Sequence, residues 1–152
     1  MKRLLWILLL SGPLYAHQMN VPAGRGVTQV LDLSGGAFNL ENFDTASDTD
    51  LARIIELDIS MNDLTEIPTA VLARMPNLEI LKMDGNPIET LRTLPVLSNL
   101  KELYVSGTNI STVSSMPFLR RLRRIWARDN ELDDFRSQLL VPTHDIEDGL
   151  QV

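Results

Sequence analysis

Few groups in this chain could do covalent or metal chemistry: two histidines, no cysteine and a scatter of carboxylates. Cleavage after Ala16 would leave His17 as the first residue, where its amine and imidazole could hold copper. Such a site needs a second histidine close by, and the other one, His144, lies near the far end of the chain. The lack of cysteine excludes thiol catalysis, zinc–cysteine sites and a disulfide framework. Glu41, Asp44, Asp48 and Asp50 crowd one stretch, but without the alternating ligands, central glycine and terminal glutamate of a calcium loop. Ser47-x-x-Asp50 ahead of Leu51 and Ile54 reads instead as a capped helix start. Glu56 and Asp58 stand two apart on one strand face. A hydrolase can use two carboxylates, but nothing around this pair builds a water-excluding pocket. Ser34-Gly35-Gly36 is glycine-rich but no helix follows it directly. Dinucleotide fingerprint, nucleophile elbow and zinc signature are all missing from the sequence. The expectation is no enzyme, no catalytic residue, no cofactor and no metal.

The positions that repeat are apolar, and they must position whatever else the chain does. Leu78-x-x-Leu81-x-Met83-x-x-Asn86-x-Ile88 recurs as Ile54-x-x-Leu57-x-Ile59-x-x-Asn62-x-Leu64 and as Leu100-x-x-Leu103-x-Val105-x-x-Thr108-x-Ile110. A fourth copy is Leu122-x-x-Ile125-x-Ala127-x-x-Asn130-x-Leu132, and a degenerate opening copy is Thr28-x-x-Leu31-x-Leu33-x-x-Gly36-x-Phe38. Start-to-start spacings are 26, 24, 22 and 22 residues. Leu-x-Leu alternation is a strand with one buried face. The triplet spacing that follows, as in Ile88-x-x-Leu91-x-x-Leu94-x-x-Leu97-x-x-Leu100, suits a 3₁₀ or short helical turn on the outer side. One unit cannot bury its own apolar edge. Stacked units can, and their strands then pair in parallel.

These copies resemble the leucine-rich repeat family over residues 28–135. The later copies look like the 22-residue class of bacterial internalins. The copy with Ile67-Pro68, Val71-Leu72 and Met75-Pro76 looks like the 24-residue class typical of extracellular receptors. The resemblance implies an α/β solenoid of about five coils, with parallel strands on the concave face and short 3₁₀ or helical segments on the convex face. It also implies that Asn62, Asn86 and Asn130 satisfy backbone groups where each coil bends, with Thr108 as a weaker substitute and Gly36 offering no side-chain bond. Neither a cysteine-rich nor a long helical cap is visible.

With the fourth and sixth repeat positions buried, the third, fifth and seventh face outward. The third-position column reads Val30, Glu56, Ile80, Glu102, Arg124, and the fifth reads Asp32, Asp58, Lys82, Tyr104, Trp126. The seventh reads Ser34, Ser60, Asp84, Ser106, Arg128. The face starts acidic and ends basic and aromatic. Tyr104 and Trp126 fall on neighbouring strands, about 4.8 Å apart at the backbone. Arg124 and Arg128 flank Trp126 within reach of a cation–π contact, and Arg120, Arg121 and Arg123 add charge nearby. Lys82, Tyr104, Arg124, Trp126 and Arg128 are therefore the expected partner-binding residues. The competing expectation is that the closing helix and acidic tail lie over this patch.

The ends carry an address and a tail. Met1-Lys2-Arg3, the apolar run Leu4–Leu10 and Ser11-Gly12-Pro13-Leu14-Tyr15-Ala16 form a signal peptide over residues 1–16, too short to span a bilayer. The mature chain is expected to have no membrane span. Residues 17–27 read as a lead-in and 28–135 as the repeat domain. A helix opened by Asp133-Asp134 and stopped by Pro142 is expected to close the stack, with residues 136–152 carrying it into an acidic tail. An exported chain without cysteine points to a bacterial periplasmic or secreted protein. The formal net charge of −6 argues against nucleic-acid binding. The expected function is exported, non-enzymatic binding of a protein or peptide through the concave face. The alternative is a cell-wall or host glycan held by Tyr104 and Trp126.

Overall fold

The computed structural model describes residues 29–112, 116–130 and 132. The expected signal peptide, lead-in, closing helix and acidic tail, and both histidines, lie outside the described residues. Five short strands form one parallel sheet in chain order. They are β1 (Gln29–Asp32), β2 (Ile54–Asp58), β3 (Ile80–Lys82), β4 (Glu102–Tyr104) and β5 (Arg124–Trp126). Each coil returns to the next strand along the outer side.

The return segments differ because their lengths differ. The first holds two single-turn helices, α1 (Glu41–Asp44) and α2 (Asp48–Leu51), and the second holds α3 (Thr69–Leu72). The coil from Leu78 is two residues shorter than its predecessor and returns in open turns. Ser47 caps α2 as expected: its hydroxyl accepts from the Asp50 N–H at 3.2 Å and donates to the Asp50 carboxylate at 2.7 Å. α1 was not foreseen. It buries Phe43, whose ring meets Phe38 at 5.5 Å and packs under the first coil.

The strand register follows the repeat. Leu57 pairs with Leu81, Leu81 with Leu103 and Leu103 with Ile125. Gln29 pairs with Ile54 and Val30 with Glu56, so Ile55 is an extra residue, a bulge in the first pairing. The core is aliphatic: Leu57, Leu81 and Leu103 at the fourth position and Ile59, Met83 and Val105 at the sixth are fully buried. Leu31, Ile125 and Ala127 at the ends are only partly buried, because they lie on or next to the edge strands β1 and β5, each paired on one side.

Two polar devices lock coil to coil. Asn86 donates to the Ile59 carbonyl of the coil before it at 3.0 Å and to the Met83 carbonyl of its own coil at 2.9 Å. Its Oδ1 accepts from the Asn62 and Leu64 N–H groups at 2.9 and 3.1 Å. Asn62 and Asn130 bind the preceding coil in the same way, through the Leu33 and Val105 carbonyls. The Thr108 hydroxyl has one proton to share between the Val105 carbonyl of its own coil and Asn130 Oδ1, and its backbone N–H donates to the same Asn130 Oδ1 at 3.1 Å. The second device is Arg74, whose guanidinium holds Asp48 Oδ1 at 2.7 Å and the Phe43 and Ala46 carbonyls at 2.7 and 2.6 Å. It fastens the helical return of the first coil to the second.

Candidate functional site

Parallel pairing in register turns the repeat columns into rows of side chains across the sheet. Asp32, Asp58, Lys82, Tyr104 and Trp126 stand side by side, as do Val30, Glu56, Ile80, Glu102 and Arg124. The strand spacing brings equivalent rings close to van der Waals contact. Tyr104 and Trp126 accordingly stack with centroids 4.0 Å apart and planes 8° from parallel.

Charges close around this stack. Lys82 Nζ lies 5.8 Å from the Tyr104 ring centre, and the Arg124 guanidinium 5.7 Å from that of Trp126. Arg124 also reaches Glu102 at 2.6 Å, and the Tyr104 hydroxyl donates to the same carboxylate at 3.0 Å. Tyr104, Trp126, Arg124 and Glu102 thus form a closed cycle. On its acidic side Lys82 binds Glu56 at 2.6 Å and lies 3.9 Å from Asp58. Burial, and then the hydrogen bond to Glu102, push the Tyr104 phenol up to about 12. The hydrogen bond to Glu56 raises Lys82, outweighing the opposite effect of burial.

The acidic half of the face is built into strand ends. Asp32 Oδ1 accepts from the Ser34 N–H at 3.0 Å and the Ser34 hydroxyl at 2.8 Å, which lowers its pKa. Asp58 accepts from the Ser60 N–H at 3.0 Å in the same turn. Both aspartates face out of the sheet, and each closes its own turn. Asp84 bridges instead to the next coil, accepting from the Ser106 N–H at 2.6 Å. Burial raises its pKa, against the lowering effect of that bond. Glu56 and Asp58, the carboxylate pair weighed for hydrolysis, both face Lys82. Among the described residues no three His, Asp or Glu side chains gather as metal ligands.

Of the five expected binding residues, four belong to one network: Lys82, Tyr104, Arg124 and Trp126. Arg128 stands apart. It is exposed at the end of the row, its backbone N–H donates to the Ser106 hydroxyl at 3.3 Å, and among the described residues its guanidinium meets no carboxylate. Glu102 was missed as the residue that orients two others. Its signal was available: an acid in the third column, one coil before Arg124 and two residues before Tyr104.

A stack of near-identical coils, strands parallel on one face and asparagines laddered at the bend, is a leucine-rich repeat solenoid. The chain is similar to the crystal structure of the leucine-rich repeat domain of APL1B, with 19% identity and a TM-score of 0.54. The match covers 72% of this chain and 33% of that one, so the chain spans about a third of that structure's length. The likeness supports the solenoid in general, not one repeat class. No protein-family model and no curated protein matches the sequence.

Proposed function

We propose that this protein is an exported, non-enzymatic recognition module that binds a protein segment on the C-terminal half of its concave face. The closed cycle of Tyr104, Trp126, Arg124 and Glu102 carries this reading. It holds two large aromatic side chains in one arrangement before any partner arrives, so binding costs little rotamer entropy. Arg128 beside it is exposed and, among the described residues, meets no carboxylate, so it offers a further cation. A sugar ring would need an open aromatic face, and Tyr104 already has Trp126 against it and Lys82 near it; this favours a protein over a glycan. The five strands span about 19 Å across, and the third to seventh positions of one coil run about 17 Å along it, a face of roughly 300–400 Å². That is well under the roughly 800 Å² per partner of a standard interface, which suits a peptide or a single loop. The 22-residue spacing of the later coils supports an internalin-like origin, and residues 1–16 support export. Mass spectrometry of protein recovered outside the cytoplasm should then find a chain starting at or near His17.

Binding is tested with Trp126→Ala. Affinity for the partner should fall by at least about 2 kcal/mol, roughly thirtyfold, with the melting temperature held within a few degrees. Asp32→Ala should change affinity little. Equal binding by wild type and a folded Trp126→Ala variant would end the proposal.

A further inference from the structure

A second surface lies off the concave sheet, on the outer flank of the third and fourth coils. Val96 and Phe118 follow Pro95 and Pro117 at the same repeat position, 22 residues apart. They are 68% and 63% exposed, while the residues after them, Leu97 and Leu119, are buried. The coils are in register here, because Arg121 Nη1 donates to Asn99 Oδ1 at 2.9 Å. Two apolar side chains therefore stand next to each other on an outward-curving flank. In the preceding coil Arg74 holds the same place, engaged by Asp48 and two carbonyls.

Arg120, Arg121 and Arg123 follow Phe118 directly and are all exposed. Among the described residues Arg120 and Arg123 meet no carboxylate, and Arg121 meets only the neutral amide of Asn99. Glu79, on the strand-start edge of this flank, is held by Lys101 at 2.8 Å. Most other described acids belong to the first two coils, two or more strand spacings of about 4.8 Å from these arginines and so beyond the screening length of about 8 Å at physiological salt. The ligand that complements this patch is anionic at its surface and apolar beneath it.

We infer that this flank docks onto an anionic lipid membrane, with Phe118 and Val96 inserted and Arg120, Arg121 and Arg123 on the headgroup phosphates. The two projecting apolar side chains favour a bilayer over an acidic peptide. A charged peptide offers no hydrocarbon to cover Phe118 and Val96, whereas a bilayer takes a projecting apolar side chain into its acyl region. The surface is separate from the concave site, so either can fail without the other.

The chain has no cysteine, so Phe118→Cys takes one environment-sensitive dye at the proposed insertion point. Full-length protein is mixed with vesicles of phosphatidylglycerol and phosphatidylcholine, or of phosphatidylcholine alone. The dye should shift to the blue only with the anionic vesicles. Flotation of unlabelled protein should weaken at least about tenfold in Arg120→Glu/Arg123→Glu and in Phe118→Ser, and with rising salt. Trp126→Ala should float like wild type. Because Phe118, Arg120 and Arg123 are exposed, the variants at these three positions should keep the wild-type melting temperature. No anionic-vesicle binding, or binding unchanged in the variants, overturns the inference. So does capture of a labelled polyglutamate peptide by the same arginines without any dye shift on vesicles.

Discussion

Tyr104 shows how one residue can record the state of its surroundings. Its phenol is pushed up to about 12 by burial and by Glu102, and Lys82 is raised by Glu56. Both groups have folded values above their unfolded ones. Their contribution to stability is therefore complete below about pH 10 and is lost as pH climbs through the raised values. Melting temperature should fall between about pH 10 and 12, and less steeply in Tyr104→Phe. Tyrosinate absorbance should show a step near 12 that disappears in the same variant. A Tyr104 titrating at its ordinary value would mean the cycle with Glu102 does not form in solution. Asp84 follows the same sign at lower pH. Its carboxyl is raised by burial, so the folded state binds the proton more tightly and stability rises as pH falls toward the ordinary carboxylate range. Asp84→Asn keeps an oxygen for the Ser106 N–H and drops the charge, so it should melt higher than wild type near neutrality, and that margin should vanish in acid.

At the scale of the element, each coil is a strand, a bend and a return, and the bend is where the coils are most alike. The eighth repeat position has positive φ in every coil: Gly35, Met61, Gly85, Gly107 and Asp129 lie between 54° and 68°. Glycine relieves that conformation at three of the five positions; Met61 and Asp129 bear its strain. The Met61 side chain, 67% exposed, lies over Gly85, where an added Cβ would come within 3.1 Å of its sulfur. One residue later comes the asparagine ladder. Asn86→Ala would strand two carbonyls and two N–H groups and should cost at least about 3 kcal/mol in a denaturant melt. Thr108→Asn should act in the opposite direction. A longer amide can reach the Met83 carbonyl of the preceding coil and accept from its bend, for a gain of about 0.5–1.5 kcal/mol. A Thr108→Asn variant less stable than wild type would show that the fourth coil lacks room for the ladder.

The whole molecule is a one-dimensional stack, so a residue's worth depends on its coil. Leu81 and Leu103 have neighbours above and below and are fully buried, whereas Ile125 at the same repeat position is only partly so. Leu81→Ala should cost about 2–5 kcal/mol, and Ile125→Ala less than half as much. Equal losses at the two sites would mean that Ile125 is covered as fully as Leu81. Charge is also distributed along the stack: the early coils tie their aspartates into turns, while the fourth and fifth present Arg120, Arg123 and Arg128, which meet no carboxylate among the described residues. The proposed recognition face and the proposed lipid-facing flank meet at those coils.

Period and pattern alone determined the coil, the buried columns and the line of bend asparagines. A side chain that recurs every 22 to 26 residues can only be packing against its own repeats. The same register arithmetic brought Lys82, Tyr104, Arg124 and Trp126 together on one face, because parallel strands turn sequence columns into spatial rows. What recurs in no other coil was out of reach of that arithmetic. Phe43 under the first coil, Arg74 clamping two coils and the bulge at Ile55 each occur once, so no period announces them. Whether an acid is free or engaged was also undecided. Asp32 and Tyr104 hold the same repeat position, yet one ends in its own turn and the other in a cycle through Glu102 and Trp126. Distances of a few ångströms between side chains make that difference, and only the folded chain sets them.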